Sequence, residues 1–121
     1  MNHDIQDWQT VILDAEDAVN DKLKQEAKAR KNTPIYSGVL KYFPLALAEV
    51  AKCSKAGNDQ HNPNTTLHWD REKSGDELDA LTRHLIDHSN DPTDEDGQLH
   101  LAKVAWRALA ALQKHLETNQ S

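Results

Sequence analysis

The sequence predicts an all-α protein: an antiparallel bundle of about four helices with a long loop between the second and third. Three observations carry that expectation. Helix formers, chiefly Ala, Leu, Glu, Lys and Gln, dominate the 121 residues. The β-branched and aromatic residues, with one Phe and two Tyr among them, never gather into strand-like runs. Apolar residues recur at helical spacing in several segments. A chain of this length closes one core, so residues 1–121 read as a single domain, with an amphipathic helix over 1–31 and a core over 38–118.

The first helix is predicted from Ile5 to about Ala29, where Ile5, Trp8, Val11, Ile12, Ala15, Ala18, Val19 and Leu23 keep a period near 3.6. Its charged end, Lys22 to Lys31, is expected to project or fray, and Asn32 to Gly38 forms a connector. Pro44 opens the second helix, since a first-turn N–H has no helical acceptor to lose. Leu47, Val50, Ala51 and Ser54 are its expected inner stripe and Gly57 its C-terminal cap. The third helix is announced by Ser74-Gly-Asp-Glu77, a capping box. It is expected to carry Leu78, Leu81 and Leu85 inward and to end near Pro92. The fourth runs from about Gln98 to Glu117, with Leu101, Val104, Ala105, Ala108, Leu109, Leu112 and Leu116 as its apolar face.

Composition narrows the function classes. Charged residues make up 28% of the chain and the formal charge is −6, which argues against an extended nucleic-acid surface. A small anionic ligand needs only a few local cations. With 37% hydrophobic residues, part of the buried surface is expected to come from self-association, hence a homo-oligomer. The single Cys53 excludes an internal disulfide and a multi-cysteine zinc site. The polar N-terminus does not resemble a signal peptide, and no apolar run approaches the ~20 residues that span a bilayer, so a cytoplasmic protein is expected. No phosphate-binding glycine loop and no nucleophile elbow occurs.

The residues that could carry chemistry cluster around the loop from Lys55 to Trp69. It is longer than most helix–helix connections, and such loops often hold binding groups. Within it, His61 and Asn62 can read a base edge or sugar hydroxyl, and Trp69 can either stack on a base or anchor the loop to the core. On the third helix, Asp79 and Arg83 stand four residues apart. They form either a simple ion pair or a metal carboxylate beside a phosphate-gripping guanidinium. His84 is either a half-buried histidine with a satisfied hydrogen bond or a base, a metal ligand or a phosphate donor, and His100 is either solvated or points into the same cleft as Asp79. Glu49 is the only acid of the second helix, either paired with Lys52 or a metal carboxylate. Lys41 and Lys55 add positive charge for a metal-bound polyphosphate. Trp106, read as exposed beside Lys103 and Arg107, suggests a subunit interface or a stacking surface.

Six segments then occur in order: Gly38-Val-Leu-Lys-Tyr-Phe-Pro44, Ala48-Glu-Val-Ala51, Lys55-Ala-Gly57, His68-Trp69, Leu78-Asp-Ala-Leu-Thr-Arg-His-Leu85 and His100-Leu-Ala-Lys-Val-Ala-Trp-Arg-Ala-Leu109. Together they resemble a phage family named for the N-terminal region of dATP/dGTP diphosphohydrolases, over about Gly38 to Leu116. The resemblance implies hydrolysis of a purine deoxynucleoside triphosphate to monophosphate and pyrophosphate with Mg²⁺ or Mn²⁺. The related all-α MazG-like enzymes do this with Glu-x-x-Glu and Glu-x-x-Asp pairs. Here Glu49 is followed at the third position by Lys52, and Asp76-x-x-Asp79 stands nearest to the second pair.

Two functions of different class follow. In the first, a metal-dependent pyrophosphohydrolase, Glu49 and Asp79 hold the metal and Lys41, Lys55 and Arg83 the phosphates. His61, Asn62 and Trp69 hold the nucleoside, and His84 or His100 orients water or phosphate. In the second, a nucleotide-binding module such as a sponge for a signalling nucleotide, binding occurs without turnover. A phage–host interaction protein is the remaining alternative.

Overall fold

The computed structural model describes residues 2–73 and 75–119, with residues 2–9 described as helical backbone only. Ser74, the first half of the expected capping box, lies outside the described residues. Among those described the chain is all-α, with no strand beyond an isolated bridge between Thr93 and Leu99. It divides into two compact units, residues 1–42 and 43–121.

The first unit contains helix α1 (Asn2–Lys31), which continues through its charged end instead of fraying. Thr33 then donates its hydroxyl to Ala29 O (2.7 Å), and a single wide turn forms over Tyr36–Leu40. Along α1, Val11, Ile12, Val19 and Leu23 of the expected apolar stripe are all more than half exposed.

The second unit holds α2 (Pro44–His61), α3 (Glu77–Asn90) and α4 (His100–Thr118), with α4 packed against both of the others. Pro44 occupies the first turn of α2 as expected. Gly57 does not end that helix, which runs one further turn to His61. A mid-helix glycine costs about 1 kcal/mol relative to alanine, and tertiary contacts offset it. Asn58 is buried, with its Oδ1 accepting from His68 N at 3.3 Å. Lys55 also reaches across Gly57 to Asp59 at 2.6 Å. The long connection to α3 therefore begins at Asn62, and Trp69 pins it to α4. The Trp69 and Trp106 rings meet edge to face at 5.8 Å and 78°. Arg71 stacks 4.2 Å over the Trp69 ring while its Nε bonds Glu117 on α4 at 3.1 Å.

The inner face of α3 differs from the expected leucine stripe. Leu78 is 68% exposed and Leu85 47%, whereas Glu77 and Ala80 are buried and His84 and His88 half-buried. The reason is steric and electrostatic. Small residues, Ala80 on α3 with Ala102 and Ala110 on α4, are the buried apolar positions that let helices approach closely, and Glu77 is neutralised across the seam by Lys114 at 2.9 Å. Leu101, Leu109, Leu112 and Leu116 of α4 are likewise about half exposed. No helix among the described residues is long and apolar enough to cross a membrane.

Candidate functional site

The α3–α4 hairpin brings together residues sixteen positions apart. His84 sits in the middle of α3 on its inner face, and His100 opens α4, where His100 N donates to Pro92 O at 3.0 Å. Their Nδ1 atoms stand 3.0 Å apart, with the rings tilted at 37°. At that distance one neutral imidazole donates to the other's lone pair. His100 is 5% exposed.

A tight acidic turn between the helices supplies the third group. Gly97 N donates to Asp94 O at 2.9 Å, and Asp94 N donates to Gln98 O at 2.8 Å. Gly97 takes φ +82°, left-handed backbone in which a side chain would be strained. The turn aims Asp94 at the histidines, with Oδ2 lying 4.0 Å from His84 Nδ1 and 3.9 Å from His100 Nδ1. Its Oδ1 accepts from Glu95 N at 2.7 Å. Lys103, one turn into α4, bridges Asp94 Oδ2 at 2.6 Å and Asp96 Oδ2 at 2.8 Å.

These contacts set the charges. The Lys103 hydrogen bond is the main cause holding Asp94 and Asp96 below the ordinary carboxylate value. Burial opposes the charge on Lys103, yet the two carboxylates more than compensate and raise its pKa. His84 is pushed below its ordinary value, first by burial and then by the nearby Lys103 ammonium. His84 is therefore neutral at pH 7, and its approach to Asp94 is not an ion pair. Burial pushes the Cys53 thiol up, which leaves it a protonated group beside Gln98 Oε1 at 3.7 Å rather than a nucleophile.

His84, Asp96 and Lys103 form one side of a cleft of about 670 Å³ whose other walls include Asn58, His61, Asn62, His68, Lys73, Asp76, Trp106 and Arg107. That volume lies within the ~300–1,000 Å³ of small-molecule pockets. Asn58 Nδ2 is buried at this wall, next to Asp59.

The residues singled out from sequence are distributed unevenly. His61, Asn62 and His84 line the cleft, and His100 meets His84 behind it. Trp69 instead packs on Trp106 and lines a second, apolar groove between α2 and α4. Trp106 is half-buried rather than exposed, because Trp69 covers it. Glu49 pairs with Lys52 at 2.9 Å, Lys55 with Asp59, and Arg83 with Asp76 at 3.3 Å instead of with Asp79. Asp79 is exposed, and Glu49, Asp79, Lys55 and Arg83 do not line the cleft. Lys41 belongs to the first unit, its ammonium 5.9 Å above the Tyr36 ring.

A family model described as dATP/dGTP diphosphohydrolase, N-terminal, matches residues 20–121. The chain belongs to this family. No curated protein and no solved structure matches it. The stretch shared with the dATP/dGTP diphosphohydrolase N-terminal family contains α2, α3 and α4 whole, so the cleft and the histidine pair both lie inside it.

Asp94 and Asp96, and Lys103 as their partner, are among the site residues that the sequence did not single out, as are Asn58, Lys73 and Arg107 on the cleft wall. A signal was present. Asp94-Glu-Asp-Gly97 is an acidic turn that follows a helix carrying His84 and His88 and leads directly into His100.

Proposed function

We propose that this member of the dATP/dGTP diphosphohydrolase N-terminal family binds a purine deoxynucleoside triphosphate in the α2–α3–α4 cleft. There it hydrolyses the nucleotide to monophosphate and pyrophosphate as part of phage nucleotide metabolism in the host cytoplasm. The observation that carries the reading is the cleft wall. It sets Arg107, Lys73 and Lys103 beside the carboxylates Asp70, Asp76 and Asp96, together with histidines and the amides of Asn58 and Asn62, at nucleotide scale. A nucleotide offers acceptors to both kinds of group: base and sugar oxygens to Asn58, Asn62 and His61, and phosphate oxygens to the cations. In the reaction, water bonds to the α-phosphorus as its bond to the bridging oxygen breaks, and pyrophosphate leaves. His84, on the cleft wall, would orient that water, and His100, buried behind it, would hold the His84 ring through their Nδ1 contact. A bound divalent cation, Mg²⁺ or Mn²⁺ by the family resemblance, would neutralise the polyphosphate and acidify that water.

The half-exposed leucines of α4 and the groove lined by Leu47, Val50, Leu109 and Leu112 support working as a homo-oligomer, with a second copy covering them. The test is to incubate purified protein with dGTP or dATP and Mn²⁺ and to follow release of pyrophosphate. Absence of turnover across the common nucleotides and divalent metals would remove the hydrolase reading. A second reading, capture of a nucleotide without turnover, is favoured by the pairing of Glu49 with Lys52 outside the cleft. Tight calorimetric binding with the ligand recovered intact would select it.

A further inference from the structure

We propose that His84 Nδ1, His100 Nδ1 and Asp94 Oδ2 form a binding site for one transition-metal dication of the zinc class. The site goes beyond the hydrolase reading, whose Mg²⁺ or Mn²⁺ would accompany the nucleotide, and it stands or falls on metal binding alone.

Geometry comes first. The three atoms form a triangle with sides of 3.0, 3.9 and 4.0 Å. A point equidistant from its corners lies about 2.1 Å from each, within the ~2.0–2.2 Å at which zinc sits from imidazole nitrogen and carboxylate oxygen. Ligand atoms of three side chains on three different elements therefore lie close enough together to share one ion, which small side-chain adjustments would carry from the plane of the three atoms into tetrahedral coordination.

Chemistry selects the kind of ion. Two imidazoles and one carboxylate suit Zn²⁺ and its neighbours, whereas Mg²⁺ takes oxygen ligands. Asp94 and Asp96 outnumber Lys103 beside the rings, a local excess of negative charge that attracts a dication. Supporting contacts hold the ligands in place, as metal sites require. Asp94 is fixed through Oδ1 by Glu95 N and through Oδ2 by Lys103, and Lys103 keeps Asp96 as a second counter-ion when a cation approaches Oδ2. His84 also lines the cleft, so the site borders the space where a substrate would lie.

The competing account is a plain hydrogen bond between two histidines, which needs no metal and explains their 3.0 Å contact equally well. It does not explain why a pinned carboxylate is aimed at both rings. Titration of chelator-treated full-length protein with Zn²⁺ separates the two. The site predicts one Zn²⁺ per chain, Co²⁺ giving the visible absorption of a low-coordinate nitrogen–oxygen site, and no displacement by excess Mg²⁺. His84→Asn and Asp94→Asn should each weaken Zn²⁺ about a hundredfold or more, since even supporting residues cost 10–100-fold. His115→Asn, at the far end of α4, should leave binding unchanged. His100 is too buried for its variant to carry the test alone, so the other two are read with far-UV circular dichroism confirming the helices. Lack of stoichiometric Zn²⁺ binding, or binding that survives both substitutions, overturns the site. Zn²⁺ binding without dGTP hydrolysis would uphold it while removing the hydrolase reading. Hydrolysis supported by Mg²⁺ in a protein that does not bind Zn²⁺ would do the reverse.

Discussion

The two connections that flank α3 are built on different physics. The first, from Asn62 to Asp76, is held by aromatic packing: Trp69 edge-on to Trp106, with Arg71 stacked over it and tied to Glu117. The second, from Asp91 to Leu99, is held by hydrogen bonds within a turn and by the Lys103 bridge. An apolar anchor secures a segment at one point and leaves its polar residues, here Asn62 and His68, on the cleft wall. A hydrogen-bonded turn dictates where its own carboxylates point, as metal ligation requires. One connection is suited to recognition and the other to coordination.

Breaking the first connection should have the largest effect. Trp69→Ala removes the packing against Trp106 and the stacking platform of Arg71, and it should cost about 3 kcal/mol of stability, near the low end for large-to-small core changes. Chemical denaturation measures it. If the two connections are independent, nucleotide affinity should fall while Zn²⁺ affinity is kept, and loss of both together would show that Trp69 supports the whole cleft.

Lys103→Gln tests the second connection and should cost about 1–2 kcal/mol at pH 7 in chelator-treated protein, the scale of a hydrogen bond to a charged group. The pH dependence follows from the depressed Asp94 and Asp96. Their contribution is complete above the ordinary carboxylate value of 3.8 and is lost as pH falls through their lower folded values. The stability gap between wild type and variant should therefore close in acid. A gap that stays constant down to pH 2 would show that Lys103 acts through packing.

The smallest effect is expected for Arg83→Ala. Its pair with Asp76 is exposed on both sides, so stability should change by less than about 0.5 kcal/mol. A tenfold loss of dGTP affinity in that variant would instead assign the guanidinium to a phosphate.

The histidine site and the leucine positions mark where sequence reasoning stopped. The period of α3 announced a helix, but Leu78 and Leu85 face outward while Ala80, His84 and Glu77 take the seam. Apolar spacing shows that a helix has two faces. Which face a neighbour covers depends on how closely the helices approach, and small residues with a neutralised carboxylate decided that here. Glu49 and Asp79 stand out by residue type and spacing along a single helix, which contain no information about the helix opposite. Asp94 belongs to no wheel, and its role exists only because a turn with Gly97 at positive φ points it at two rings on separate helices.

By itself, then, the sequence determined the all-α class, the four helices to within a few residues at most ends, and membership of a nucleotide-linked family. These rest on local periodicity, capping chemistry and short segments that survive without knowledge of distant contacts. Only the tertiary structure decided that α2 runs through Gly57, that Trp69 is an anchor, and that His84, His100 and Asp94 converge. Each of those is a contact between residues at least ten positions apart, or depends on one, and the energy that selects it comes from the packing of one element on another.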